Sequence, residues 1–218
     1  NRKENVYIVG IDQLLVDIEI DATPELLAEY DLVAGESYVL DDKKVEELYD
    51  KCLADGKILG QYAGGAVGNT LHNYSVLSDD QSFALGTICE TIKVGDYAFK
   101  YICSTSSKVD FSYLQPCQGK MARAMCLITP DKERTFAIGK GIMNQLSQEF
   151  VPEDLIKNAS ALLVTAFLLR DPTSPLYSAT MKAVKVAKQA GVPVVFALGT
   201  SLLIESDPEF FKKFILDN

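Results

Sequence analysis

What most constrains the fold is a regular alternation of segments in the last third of the chain. Pro152 opens a short helix, and Ala161 to Leu169 is an apolar run that reads as a buried strand. Ser174-Pro175 then opens a helix to about Gln189, Gly191-Val192-Pro193 leads into a second apolar run at Val194 to Leu198, and Asp207-Pro208 opens a last helix to about Leu216. Proline is tolerated at a helix start because that first N–H has no partner within the helix. Apolar strands alternating with helices require a parallel sheet covered on both faces. Both runs read as interior strands. An interior strand left uncovered presents unpaired N–H and C=O groups, so a chain that stopped at Asn218 is expected to self-associate.

The earlier part of the chain supplies the rest of an α/β domain. Asn5 to Gly10 is an apolar run ending in glycine, and Val16-Asp17-Ile18-Glu19-Ile20 alternates apolar with acidic, the period of a strand with one wet face. Thr23-Pro24-Glu25 is a helix start. Asp42 to Asp55 is a second helix with Val45, Leu48, Tyr49 and Cys52 on one face, ended by Gly56. Phe83 to Cys89 reads as a buried strand and Gly95 to Ser104 as a helix. Met121 to Ile128 and Arg134 to Ile138 read as a hairpin around the polar turn Thr129 to Glu133, a natural partner for Val16–Ile20.

Composition narrows the function. The 218 residues, 48% hydrophobic, suffice for one large domain. No apolar run approaches membrane-spanning length, and no leader segment is visible ahead of the first strand. The net charge of −9 comes without a basic stripe, which argues against nucleic acid as a partner. Five widely spaced cysteines with no C-x-x-C pattern suggest reduced thiols in a cytoplasmic protein rather than disulfides or a zinc site.

The candidate chemistry centres on Gln61-Tyr62-Ala63-Gly64-Gly65-Ala66-Val67-Gly68-Asn69-Thr70. Ile58 and Leu59 can end a short strand before it, and Thr70 to Leu77 continues as an amphipathic helix. Glycines at such a turn let the backbone bend and approach a ligand, and the helix start offers N–H groups to something polar or anionic. Asn69 adds a donor and an acceptor. The stretch matches neither G-x-G-x-x-G nor a P-loop, and alone it reads most simply as a packing turn. The single histidine, His72, has no G-x-S-x-G to serve, and no metal-ligand cluster is present. What remains is a polar set at strand ends: Asp12, Gln13, Asp17, Gly64, Gly65 and Asn69. Ligands of open α/β sheets bind beyond the carboxyl ends of strands. A carboxylate accepting from a vicinal diol, with an amide beside it, is the physics of sugar recognition. Against this, Asp17 also reads as a solvated acid on a wet face, and Asp12 as a turn residue.

These segments together resemble a known family. Gly10-Ile11-Asp12-Gln13-Leu14-Leu15-Val16-Asp17, Gly64-Gly65-Ala66-Val67-Gly68-Asn69 and Glu133-Arg134-Thr135-Phe136 resemble the ribokinase-like (PfkB) carbohydrate and nucleoside kinases. The stretch through Thr70-Leu71-His72-Asn73-Tyr74-Ser75, together with Tyr113-Leu114-Gln115 and Met143-Asn144-Gln145-Leu146, is similar to the bacterial members acting on inosine and guanosine. The resemblance implies a doubly wound parallel sheet with a small β lid, its strands near residues 16–20 and 121–138. It implies that Asp17 binds the ribose hydroxyls, that Gly64, Gly65 and Asn69 contact the substrate, and that Arg134 sits on the lid, with Asp12 and Gln13 beside the nucleoside. It implies phosphoryl transfer from Mg-ATP to the 5′-hydroxyl, catalysed mainly by positioning and charge neutralisation. The family's G-A-G-D motif, which carries the catalytic aspartate, is absent, as is its N-x-x-E motif. Residues 1–218 therefore read as an N-terminal part truncated before the nucleotide site. Such a part holds the nucleoside and lid, has no catalytic residue or metal ligand, binds neither ATP nor Mg alone, and is inactive without its C-terminal partner. Alternatives are a sugar kinase of the same family and a non-catalytic nucleoside or sugar binding module; homo-oligomers stay open.

Overall fold

The computed structural model of the chain describes residues 6–90 and 109–218, so the helix expected at 95–104 lies outside the described residues. Twelve strands form two five-stranded sheets and a small two-stranded one, among the described residues. The main sheet holds β1 (Tyr7–Ile11), β5 (Gln81–Leu85), β7 (Val109–Asp110), β11 (Ala161–Thr165) and β12 (Val194–Ala197) in the order β12-β11-β1-β5-β7. All its pairings are parallel, as the alternation of apolar strands and helices requires.

Both faces of this sheet are covered. Val9, Ile11, Leu85, Leu162 and Val164 pack with Leu176, Ala179 and Ala183 of the helix Pro175–Gln189. On the other face Ala84 and Leu163 share a core with Val67 and Leu71 of the helix Ala66–Ser78. That second helix lies directly on Gly10: a Cβ there would come within 2.4 Å of Val67 Cγ1. In chain order the helices are α1 (Pro24–Glu29), α2 (Asp42–Ala54), α3 (Ala66–Ser78), α4 (Glu153–Lys157), α5 (Pro175–Gln189), α6 (Ser201–Ser206) and α7 (Pro208–Asp217). Their starts follow the sequence signals: Thr23, Ser174 and Asp207 each accept a backbone N–H of the first turn with the side chain.

The second sheet runs β3 (Ser37–Leu40), β10 (Arg134–Gly139), β9 (Ala122–Ile128), β2 (Leu15–Asp21) and β4 (Ile58–Gly64). β9 and β10 form the expected antiparallel hairpin, and β9 pairs with β2 in parallel. Val16, Ile18 and Ile20 point into a core that includes Leu27 of α1 and Val45, Leu48 and Cys52 of α2. Asp17 and Glu19 lie on the opposite, half-exposed face, as the alternation of β2 predicts. The third sheet pairs β6 (Thr87–Cys89) with β8 (Gln115–Cys117).

Four expectations are corrected. The strand before the glycine pair does not end at Leu59: β4 continues to Gly64, antiparallel to β2, so the chain passes to α3 from the second sheet and not from the parallel one. Phe83 to Cys89 is two strands, β5 and β6, in different sheets, broken at Gly86, where a Cβ would meet the Asp12 carbonyl at 2.8 Å. The run Ala161 to Leu169 leaves the strand after Thr165 and turns as a 3-10 helix, Ala166–Leu169; a short apolar run fits a buried strand or a buried helical turn equally well. Val194–Ala197 stands at the edge of the described sheet, not inside it, and its residues are only partly buried, with Val195 51% exposed.

The seating of α3 on Gly10 gives a direct test. In the intact protein, Gly10→Ala is expected to destabilise by about 1–3 kcal/mol, because Val67 must be displaced from a packed core. Denaturant unfolding checks this through a lower midpoint at unchanged slope.

Candidate functional site

The chain leaves the main sheet for the second sheet at residues 12–14 and returns through Gly65. These two crossings touch. The Asp12 carboxylate accepts the backbone N–H of Gly68 at 2.7 Å and of Val67 at 3.3 Å. Asp12 is 4% exposed and its own N–H donates to the Leu85 carbonyl at 2.9 Å. It therefore sits as a negative charge on the N-terminal turn of α3, where the helix dipole favours it. Gly65 makes this possible. Its φ is +115°, and a Cβ there would lie 2.3 Å from Asp12 Oδ2.

The helix start was expected to offer free N–H groups to a ligand. Two of them are instead engaged by the protein's own carboxylate. Burial raises the Asp12 pKa from 3.8 to about 6, outweighing the N–H groups of Gly68, Val67 and Gln13, which lower it.

The neighbouring glycine performs the same service for the second carboxylate. A Cβ on Gly64 would come within 2.4 Å of Asp17 Oδ2. Each member of the pair thus makes room for one acid: Gly65 for Asp12, Gly64 for Asp17. Asp17 is half-buried, and its pKa is raised by burial and then by the charge of Glu19. Asn69 lies in the first part of α3, its backbone N–H donating to the Gly65 carbonyl at 3.2 Å and its side chain exposed.

Register places Arg134 on the face that carries Asp17. Arg134 pairs with Ile128, which pairs with Asp21; two residues along, Phe136 pairs with Cys126, which pairs with Glu19. Directly paired residues point to one side of a sheet. The electrostatics agree: burial raises the Cys126 thiol pKa, Arg134 lowers it, and Glu19 and Asp17 raise it. Arg134 is exposed at the start of β10, two residue pairs along the face from the row of Asp17.

Gln13 faces elsewhere. Its Nε2 donates to Asn144 Oδ1 at 2.7 Å, which ties the outgoing crossing to the segment that follows β10. The Asn144 carbonyl in turn accepts the N–H of Leu176 at the start of α5. Gln13 also borders a cavity of about 220 Å³ with Lys140, Asn144, Phe167, Arg170 and Asp171. Sequence reasoning gave none of these five a place in the site, although Asn144 lies in a stretch that carried the family resemblance. Arg170 follows an apolar run that was read as a strand to Leu169, and Lys140 follows the last residue of β10. The available signal was position, just past the carboxyl ends of strands.

The comparisons with known proteins agree with this architecture. The fold is ribokinase-like: adenosine kinase from Sinorhizobium meliloti superposes with a TM-score of 0.77 at 21% identity, over 96% of this chain and 61% of that one. Adenosine kinase from Anopheles gambiae, solved with P1,P4-di(adenosine-5) tetraphosphate, gives 0.77 at 18% identity, over 94% and 63%. In sequence, the chain is 47% identical along its whole length to guanosine-inosine kinase of Escherichia coli strain K12, and spans about half, 50%, of that protein's length. No protein-family model matches the chain.

The buried Asp12 sets a pH dependence with a definite sign. The folded protein holds this proton more tightly than the unfolded chain, so the contribution of Asp12 to stability is largest below pH 3.8 and falls as pH rises to about 6. The fall amounts to about 3 kcal/mol. In Asp12→Asn that component is absent. Chemical unfolding of both proteins across this window measures it as a difference in slope with pH.

Proposed function

We propose that this chain is the nucleoside-binding part of a purine-nucleoside kinase, which transfers the terminal phosphoryl group of ATP to the 5′-hydroxyl of inosine or guanosine and releases ADP. The observation that carries the reading is the glycine pair holding one carboxylate on each side, at the point where the second sheet meets the carboxyl ends of the main sheet. The 47% identity to guanosine-inosine kinase supports the nucleoside over a free sugar as substrate.

In this reading the second sheet is the lid. Asp17, backed by Gly64, accepts from the ribose diol, and Asn69 contacts the same sugar from α3. Asp12 does not touch substrate; it is a positioning residue that fixes the start of α3 against the crossing next to Asp17. Arg134 contributes positive charge at the outer end of the lid face.

Among the described residues no group of three or more His, Cys, Asp or Glu side chains could hold a metal ion, and the start of α3 is filled by Asp12. We assign the nucleotide, its metal and the catalytic base to a further part of the protein beyond residues 1–218, in a molecule about twice as long, as the relatives are. Such a part also supplies a cover for the exposed edge residues Val195, Leu198 and Leu202.

The intact protein is expected to convert inosine and ATP to inosine monophosphate and ADP, and chromatography of the products checks it. No product with either inosine or guanosine would overturn the reading. Within it, Asp17→Asn removes a charged acceptor from the diol. Calorimetric titration of inosine should show about 10- to 100-fold weaker binding; unchanged affinity would remove Asp17 from the site.

A further inference from the structure

The second sheet has another face, and a cavity opens on it. Arg123 pairs with Val16 on one side and with Gly139 on the other. Val16 is buried in the core under α2, so Arg123 lies on that face, opposite to Asp17 and its partner Ala124. Among the described residues, a cavity of about 250 Å³ lies there, between the first turns of α2, the lead into β9 and the exit of β10. The thickness of the sheet separates it from the sugar face.

The buried charge in its wall is a cation. Arg123 is 9% exposed, and its guanidinium lies 4.7 Å from the centre of the Tyr49 ring, which orients it. The Tyr49 hydroxyl is fixed in turn by Gln61, whose Nε2 donates to it at 3.1 Å. An acid belongs to the same wall. A Cβ on Gly139, the partner of Arg123 in β10, would lie 3.1 Å from Asp42 Oδ1, so the Asp42 carboxylate sits over the next strand. Asp42 Oδ1 accepts the N–H of Gly141 at 3.1 Å, which leaves Oδ2.

The other two charges of the wall answer each other. Lys120 and Glu46 form an ion pair at the exposed rim. The Lys120 ammonium, by hydrogen bond and charge, and behind it Arg123 hold the Glu46 carboxyl below its usual range. Val45, Met121 and Ile142 complete the wall, all buried and apolar. The cavity thus offers a guanidinium, a carboxylate oxygen and an aliphatic floor. A dianion would meet Asp42 and Glu46, and a diamine would meet Arg123 and Lys120. A zwitterion meets each charge with its opposite.

We propose that this cavity is a second binding site, for an α-amino acid with an apolar side chain. Arg123 donates to the carboxylate of the amino acid, Asp42 Oδ2 accepts from its ammonium, and Val45, Met121 and Ile142 receive its side chain. Arginine matches a carboxylate with two parallel N–H groups. At about 250 Å³ the cavity falls below the range of roughly 300–1,000 Å³ usual for larger ligands, which suits a molecule of amino-acid size. The site does not depend on the nucleoside-kinase reading, since it shares no residue with Asp12, Asp17, Gly64, Gly65 or Asn69.

The test is calorimetric titration of the intact protein with L-leucine and with isocaproate, its deamino analogue; inorganic phosphate and putrescine serve as probes of a single sign. Leucine should bind about 10-fold or more tighter than each of the other three. Asp42→Asn keeps the oxygen that Gly141 needs and removes the charge. It should lose about 10- to 100-fold for leucine and with it the preference over isocaproate. Arg123→Lys keeps a cation beside Tyr49 without the planar fork and should weaken leucine and isocaproate alike. Leucine should still bind to protein saturated with inosine. No binding of leucine, equal affinity for leucine and isocaproate in wild type, unchanged leucine affinity in both variants, or displacement of leucine by inosine would each overturn the proposal and leave the kinase reading in place. If a variant unfolds, the wild-type ratio of leucine to isocaproate still decides.

Discussion

The arrangement of this molecule depends on one contact, the Asp12 carboxylate on the first turn of α3. It joins the point where the chain leaves the parallel sheet to the point where it comes back. It adds a side-chain tie to the backbone link through Gly65 and to the core that Val67 and Leu71 share with Val16 and Ile18. With it, the helix is seated on β1 at Gly10 and the two glycines are held against the two acids. A buried carboxylate carries a desolvation cost, visible in its raised pKa, and the N–H groups of the helix start offset part of it. The cost is accepted where a fixed geometry between two sheets is needed.

Local signals in the chain describe the main sheet well. Alternating apolar runs, prolines at N1 and capping residues mark parallel strands and helices whose interactions are local or repeated. Asp17 was legible for the same reason: an acid in strict alternation with Val16, Ile18 and Ile20 must lie on the wet face. The course of β4 was not legible. Gln61-Tyr62-Ala63 carries no strand pattern of its own and is extended because β2 lies beside it, with Asp17 opposite Tyr62. The role of Asp12 was equally hidden, since its partners are 55 and 56 residues away. The cavity lining was missed because its residues follow three different strands, and only the sheet order brings them together.

The chain is acidic overall, yet the cavity beside Gln13 gathers two cations, Lys140 and Arg170, that form no ion pair among the described residues, with Asp171 beside them. The acids that line the site each have something to do: Asp12 holds a helix, Asp17 stands against Gly64, and Asp171 closes its own loop through Thr173. Charge is thus sorted by place. The half-exposed face of the second sheet is acidic around Asp17 and Glu19, and the crevice at its far end is basic.

The bond from Gln13 to Asn144 joins the first crossing to the segment that carries the chain back from β10, and the Asn144 carbonyl passes the connection on to α5. The second sheet is thus anchored at three neighbouring points, residues 12–13, Gly65 and Asn144, all at the end nearest the main sheet. Gly64 and Asp17 are the residues of its half-exposed face nearest these anchors, and Arg134, at the start of β10, is the most remote from them.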